Sequence, residues 1–373
     1  MNTDVAVIGG GVVGSAIAYG LARRNVRVLV IDGRDRDLRA ANANFGLIWL
    51  QGKGMNMPAY QLHTRESVAL WPEFSAELTE ATGIDLHYER NGGLQICLGE
   101  ADFEQRQATL LRLHNQLGGP AADWEMLDRD ALAKLLPQVE LGSDVSGASF
   151  GRSDGHVNPL RLLAALHAGI VRRGGILRGG SDVLSVQADG RGSFAIDCGS
   201  EHVLAERVII AAGHGSKALA KMVGLDIPIR PQRGQILVTE RLEPFLPLPI
   251  SGLRQTREGT VMIGATHDEA GFDTSTTTDA AASLSAKAIR RIPALREVRL
   301  VRQWSGLRIL TPDRHPIYSE SATHPGAFVA VCHSGVTLAP VHATRLADAF
   351  AVGRLPSSLD VFHQRRFDVS KAA

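Results

Sequence analysis

Cysteine is nearly absent: Cys97, Cys198 and Cys332 are the only three in 373 residues, and they lie far apart. No Cys-x-x-Cys pair occurs, so neither a disulfide framework nor the usual zinc or iron–sulfur ligand spacing is supported. No run of eighteen apolar residues is present, so no membrane-crossing segment is expected. A net charge of +1 offers no field for nucleic acid or an anionic membrane surface. Lysine is scarce beside arginine, an imbalance that genome composition explains as readily as function. The first strand starts by residue 4, which predicts no cleavable signal peptide and a cytoplasmic location. No Ser-His-Asp set stands out. What remains is an ordinary globular composition, 44% apolar and 21% charged, in a chain long enough for two domains or one core with an inserted lobe.

The most informative stretch is the first fourteen residues. Val5 to Ile8 is short and β-branched, as a buried parallel strand is. Gly9-x-Gly11-x-x-Gly14 follows at once and runs into a small-faced helix. Gly9 permits a tight turn, Gly11 admits a pyrophosphate to the backbone, and Gly14 lets the helix pack on the strand. A second strand, Val26 to Ile31, ends in Asp32, the acid that a ribose hydroxyl pair requires about 20 residues past the glycines. The fingerprint predicts FAD or NAD and does not choose between them.

Beyond it, the charged loop Gly33 to Arg39 leads into small and amide residues, Asn42, Asn44, Phe45 and Gly46. These suit close approach to a ligand as well as an ordinary turn. Leu47 to Gly54 reads as an apolar strand ending in polar and glycine residues, and Met57 to Gly83 as an amphipathic helix. Leu86 to Leu98 reads as a hairpin around Asn91-Gly92. Helices are expected at Ala101–Leu117, Asp128–Leu136 and Leu160–Arg173, the last capped by Asn158 with Pro159 in its first turn. Ile176–Val186 and Ser193–Val203 read as paired strands, and Glu206–Gly215 as a second buried strand ending in glycine. Ile229 to Gly264 reads as strands with turns, Asp279–Ile292 as a helix, and Phe328–Cys332 as a strand before a last helix reaching about Val352.

These stretches together resemble the D-amino-acid oxidase family of FAD-dependent amine oxidoreductases. The resemblance rests on the glycine fingerprint with Asp32, Gly213, Arg233-Gly-Gln235, Trp304-x-Gly-Leu-Arg308 with Thr311-Pro-Asp313, and Gly335 to Pro340. Asn44 to Gly54, Tyr88 to Gln95 and Asp154-Gly-His156-Val-Asn158 are similar to the β subunits of opine oxidases, D-hydroxyproline dehydrogenases and hydrogen cyanide synthase. The resemblance implies FAD rather than NAD, held noncovalently. It also implies a partner subunit carrying further redox centres, and a location in the cytoplasm or at the inner membrane face through partners.

The resemblance also implies which residues hold the cofactor. They are Gly9, Gly11, Val12, Val13, Gly14, Asp32 and Gly33 at the fingerprint, and Asn42, Asn44, Phe45, Gly46 and Leu47 after it. Val183, Ala212 and Gly213 follow in mid-chain. Arg308, His333, Ser334, Gly335, Val336 and Thr337 complete the set. At Gly335–Thr337 a helix N-terminus would stabilise the negative charge of a reduced flavin, and Ser334 or Thr337 as a plain N-cap is compatible with that.

Amine oxidation by a flavin requires the protein to orient the substrate and keep its nitrogen neutral. Arg308 matches the family's carboxylate-binding arginine. His333 stands where glycine oxidase has an arginine near the substrate, and either a ligand contact or backbone partners at a strand end would account for it. Gln51, His267 and Arg254 are weaker candidates. Arg254 would be a second cation for substrates with more than one carboxylate, with a surface position as its default. Met262 aligns with the lysine by which sarcosine oxidase activates oxygen, and Gly306 with that enzyme's flavin-linking cysteine.

The expected architecture is α/β with an α+β second domain. A discontinuous Rossmann-type FAD-binding domain of glutathione-reductase type would comprise 1–46, 141–216 and 305–373. A substrate domain with a mixed, largely antiparallel sheet would comprise 47–140 and 217–304. The expected activity is an FAD-dependent dehydrogenase of secondary or N-substituted amino acids, of opine or D-hydroxyproline type. A free-standing glycine or D-amino-acid oxidase and a flavin-carrying structural subunit are the alternatives.

Overall fold

A computed structural model of the chain describes residues 1–33, 39–118, 122–190, 192–199 and 201–371. Residues 34–38 of the charged loop after Asp32 lie outside these. An eight-stranded sheet is centred on the strand Asn2–Ile8. Val28–Ile31 and His202–Ile210 flank it in parallel, with Ile8 in register with Ile31 and Ile210. Ile176–Arg178 extends the sheet past Val28–Ile31, and Ala327–Val331 past His202–Ile210, both in parallel. Ile317–Glu320 closes one edge antiparallel. Ser185–Ala188 and Phe194–Asp197 add an antiparallel pair.

Alternation along the central strands sends side chains to two separate cores, as parallel strands covered on both faces require. Val5, Val7, Val28, Val30 and Ile209 pack under the helices Val12–Ala22, Pro58–Thr82 and Pro159–Arg172. Ala6, Ile8, Leu29, Ile31 and Ile210 face the opposite core with Phe194, Leu219 and Ile227. Helix Val12–Ala22 lies against the C-terminal helical segment, whose His342–Leu346 stretch has π geometry. A Cβ at Gly20 would stand 2.1 Å from the Ala343 carbonyl oxygen, so only glycine permits this contact.

The remaining strands are antiparallel. Leu253–Gln255, Thr260–Gly264, Arg230–Arg241 and Leu300–Leu310 form one sheet in that order. Gly93–Leu98, Val145–Gly151 and Trp124–Asp128 form another, with Val145–Gly151 in the middle. Leu94, Ile96, Ala148, Leu237, Val261, Ile263 and Leu284 join both in a third core. The strand Val145–Gly151 thus pairs with the preceding segment, and Leu300–Leu310 runs across position 305.

The expected α/β class is present, and most helices lie within two residues of their expected bounds. Asn158 caps Pro159–Arg172 by accepting from the Leu160 and Arg161 amides, and Gly83 ends Pro58–Thr82 with a φ of 74°. The hairpin at Leu86–Leu98 is not formed. Gly93–Leu98 pairs with Val145–Gly151, while Glu89 bridges to His156, so the Asn91-Gly92 turn joins two different partners. The strand expected at Leu47–Gly54 is only Leu47–Ile48, pairing with Gly155–His156. Ile176–Val186 is divided: Ile176–Arg178 joins the parallel sheet and only Ser185–Ala188 pairs with Phe194–Asp197. No helix of the described residues is long and apolar enough to cross a membrane.

Candidate active site

A cavity of about 1230 Å³ opens at the carboxyl ends of the parallel strands. Its wall includes Ile8–Val13, Ile31–Gly33, Ala211–Gly215 and Cys332–Thr337, each the continuation of a strand. Open α/β sheets bind ligands at this position. The volume exceeds the ~300–1,000 Å³ of a drug-sized ligand's site, leaving room for a dinucleotide and a small second molecule.

Glycine chemistry shapes the cofactor end. Gly9 has a φ of 115°, and a Cβ there would stand 2.3 Å from the Ala211 carbonyl oxygen. At Gly14 a Cβ would stand 2.0 Å from the Gly9 carbonyl, so this residue packs helix on turn and does not reach the cavity wall. Gly11 is the N-cap residue of Val12–Ala22, and no side chain caps that end. The nearest atom to a Cβ at Gly11 is the Ala41 methyl, 3.8 Å away, so the approach is open. An uncapped helix start beside open space is a cradle for a phosphate. His167 Nε2 meets the Gly10 carbonyl at 2.8 Å and Ser15 Oγ at 3.1 Å, bracing the turn. Asp32 Oδ1 accepts from Arg39 Nη1 at 2.8 Å at the rim of the same cavity. These features fit a bound dinucleotide.

At the other end, Arg308 projects from the strand Leu300–Leu310 and passes over Gly234 on the neighbouring strand. Arg308 Nη1 donates to the Thr266 carbonyl at 2.8 Å and the Arg233 carbonyl at 3.3 Å. No carboxylate of the described residues pairs with it. A guanidinium so fixed on a cavity wall has the geometry and charge to receive a carboxylate. His267 shares the wall, its Nδ1 at 3.1 Å from Gln232 Oε1. His333 is also on the wall, with Nδ1 at 3.5 Å from Ser334 Oγ. Burial, with Lys53 and Arg308 as added positive charges, pushes His333 down to about 3, so it is neutral at working pH.

Thr337 ties the segments around this end. Its Oγ1 accepts from the Trp49 amide at 3.2 Å and donates to the Leu47 carbonyl at 3.4 Å. Its carbonyl accepts from Ser67 Oγ and Trp71 Nε1.

Val12, Val13, Gly33, Asn42, Asn44, Phe45, Leu47, Val183, Ala212, Gly213, Ser334, Gly335 and Val336 also line the cavity, together with Thr337. Gly46, Gln51 and Arg254 do not. Gly46 has a φ of 86°, and a Cβ there would stand 2.2 Å from the Val157 carbonyl. Gln51 is buried in a network, its Oε1 accepting from Arg106 Nη2 and Ser149 Oγ, both at 2.6 Å. Arg254 is 4% exposed rather than at the surface. It lies behind Phe45, donating to that residue's carbonyl at 2.9 Å, with Met262 Sδ at 2.9 Å. Phe272 and Lys53 are among the wall residues that had no role assigned from sequence. Phe272, 69% exposed, stacks edge-on against His214. Lys53 lies in the stretch Asn44 to Gly54, two residues past Gln51, but nothing local distinguishes it from a surface lysine.

The chain matches the family described as DAO, FAD dependent oxidoreductase, over residues 4–349. It is 40% identical over 371 residues to the B subunit of opine oxidase from Agrobacterium tumefaciens (strain Ach5), covering 100% of this chain and 99% of that protein. It is 29% identical over 413 residues to the HcnC subunit of hydrogen cyanide synthase from Pseudomonas aeruginosa, covering 99% and 97%. Among solved structures, glycine oxidase from Geobacillus kaustophilus superposes with a TM-score of 0.89 at 26% identity, covering 98% of this chain and 99% of that one.

Proposed function

The chain belongs to the DAO family of FAD-dependent oxidoreductases acting on CH–NH groups, and from that premise we propose that it is an amino-acid dehydrogenase of secondary or N-substituted amines. The substrates would be of opine or D-hydroxyproline type. The chain would be the catalytic subunit of a hetero-oligomer in the cytoplasm, passing electrons to a partner subunit. The likeness to one named subunit of an opine oxidase supports the assembly, and the identity of 40% supports the substrate type. The cofactor unit would comprise 1–46, 141–216 and 305–373 and the substrate unit 47–140 and 217–304, with the strand Leu300–Leu310 running across one border and Val145–Gly151 pairing across another. The FAD would be noncovalent: Gly306 offers no thiol, and burial pushes the Cys332 thiol on the wall up to about 12.

Bound FAD supplies a hydride acceptor for the carbon beside the substrate nitrogen. Arg308 clamps the substrate carboxylate and so fixes that carbon. His333, held neutral, can accept a hydrogen bond from the amine without repelling a substrate cation. The helix expected to begin at Gly335–Thr337 begins at Ala339 with no side-chain cap, so it is the turn backbone of Gly335–Thr337 that lines the region that would face the flavin's developing charge. The single observation that carries the reading is Arg308, anchored on two carbonyls yet facing the cavity with no carboxylate partner among the described residues.

Anaerobic flavin bleaching tests it. The FAD-loaded chain is mixed with an opine panel, cis-4-hydroxy-D-proline, D-proline, glycine and sarcosine. Fast bleaching by a secondary amine with slow recolouring in air is expected. Bleaching by glycine with peroxide release at the rate of flavin reduction would instead establish a free-standing oxidase, the reading that the glycine oxidase likeness favours. No bleaching in the flavinated chain or its native complex overturns both.

A further inference from the structure

The substrate end of the cavity carries more positive charge than one carboxylate balances. Besides Arg308, the wall includes Lys53, Lys287 and Arg291. The only carboxylates among the described wall residues are Asp32 and Asp182. Both belong to the cofactor end: Asp32 follows the strand Val28–Ile31, and a Cβ at Gly33 would stand 2.4 Å from Asp182 Oδ1. Two of the extra cations are otherwise accounted for. Lys287 is exposed to solvent, and Arg291 donates to the Ser251 carbonyl at 3.0 Å.

Lys53 differs from both. Its Nζ donates to Ser334 Oγ at 2.7 Å, which holds the ammonium in place and leaves donor capacity toward the cavity. No carboxylate of the described residues pairs with it. The positive charges of Lys53 and Arg308 both act on His333, and all three side chains are on the wall. Burial weighs against the Lys53 ammonium and the charge of Asp154 favours it without a salt bridge, so a ligand anion would offset the remaining cost.

We propose that Lys53 is a specificity-determining residue, the second anion anchor of the active site, and that the substrate is a secondary amine bearing two carboxylates. Arg308 holds the carboxylate beside the reacting carbon, and Lys53 holds a carboxylate on the nitrogen substituent. The inference rests on the amine-oxidation reading and selects the dicarboxylate members of its substrate type. It gives Lys53 the role expected of Arg254, whose guanidinium lies behind Phe45 and off the wall.

The test uses inert thioethers, so binding is read without turnover. FAD-loaded protein is titrated with thiodiacetate, which has two carboxylates, and with methylthioacetate, which has one. Binding is followed by the flavin's visible spectrum and by calorimetry. Wild type should bind the dianion about 30-fold more tightly than the monoanion, the size expected of one charge-assisted contact. K53M should collapse that ratio to about 3 or less, and K53R should retain most of it. A ratio near one in wild type, or an unchanged ratio in K53M, overturns the proposal. Should K53M lose FAD, K53Q is read in its place, and a wild-type ratio in K53Q overturns it equally. A chain that binds the dianion through Lys53 but is bleached by no amine refutes the oxidation reading alone. A chain bleached by amines without dianion preference refutes the anchor alone.

Discussion

A Cβ on Gly234 would stand 2.6 Å from the Arg308 guanidinium, so the candidate carboxylate clamp rests directly on the backbone of the neighbouring strand. Thr266 and Arg233 carbonyls hold it from the side. The clamp is positioned by a missing side chain as much as by its own hydrogen bonds. Gly234→Ala should therefore displace Arg308 without removing it. Substrate Kd from anaerobic flavin titration should rise about tenfold in G234A. In R308A, where about 1.5–3 kcal/mol of charge-assisted bonding is lost, it should rise about 10–100-fold. Both variants should retain FAD. An unchanged Kd in R308A would remove the clamp from the mechanism.

Asp32 should matter to the cofactor and not to the amine. It follows the strand Val28–Ile31, and its Oδ1 accepts from Arg39 Nη1 at 2.8 Å. Asp32→Ala removes the acceptor for a ribose hydroxyl and a counter-charge for Arg39. FAD affinity, measured by fluorescence on release from the holoprotein, should fall about 10–100-fold, with the melting point of the FAD-saturated chain nearly unchanged. Equal FAD retention in D32A and wild type would count against the assignment.

What could be read in advance follows the range of the interaction. The glycine fingerprint is local: turn, helix start and Asp32 fall within thirty-two residues, and each glycine's role is fixed by its immediate neighbours. Arg308 was legible because a motif surrounds it. The misread hairpin shows the converse, because Asn91-Gly92 is a good turn whose second strand is claimed by Val145–Gly151. Side-chain destination was the least legible property. Arg254, Gln51 and Lys53 are all polar residues near apolar strands. Only the packing of distant segments sends the first two into the protein's interior and the third to the cavity wall.

Gln51 illustrates that difference in energetic terms. Its amide holds Arg106, which is 7% exposed, together with Ser149 and the Gly93 carbonyl at 3.0 Å. Gln51→Ala leaves a buried guanidinium short of an acceptor, at a cost of about 3 kcal/mol. The loss should appear as a lower melting temperature and a lower midpoint in urea. A change confined to substrate Kd, with stability intact, would return Gln51 to the active site.

Buried ionisable groups give the stability a predictable pH dependence. Burial pushes His63 down to about 4, and His156 and His342 down to about 3. The neutral His342 Nε2 meets the Tyr318 hydroxyl at 2.8 Å. In the unfolded chain these rings take up protons near pH 6.5, whereas the folded chain keeps them neutral. Their contribution is therefore complete above 6.5. Below it, stability falls by about 1.4 kcal/mol per pH unit for each ring, until the folded values near 4 and 3 are reached. Asp154 acts in the opposite sense. Burial pushes its carboxyl up to about 7, so its contribution is complete below 3.8 and is lost as pH rises through 7. The melting temperature of the FAD-saturated protein should accordingly drop from pH 7 to pH 5. His63→Phe, which keeps the ring packing on Tyr318 and Phe362, should flatten that drop. Asp154→Asn should steepen it, being more stable than wild type at pH 8 and losing that advantage at pH 5. Parallel curves for the three proteins would show that these groups titrate alike in both states, and would refute the assignment of the pH dependence to them.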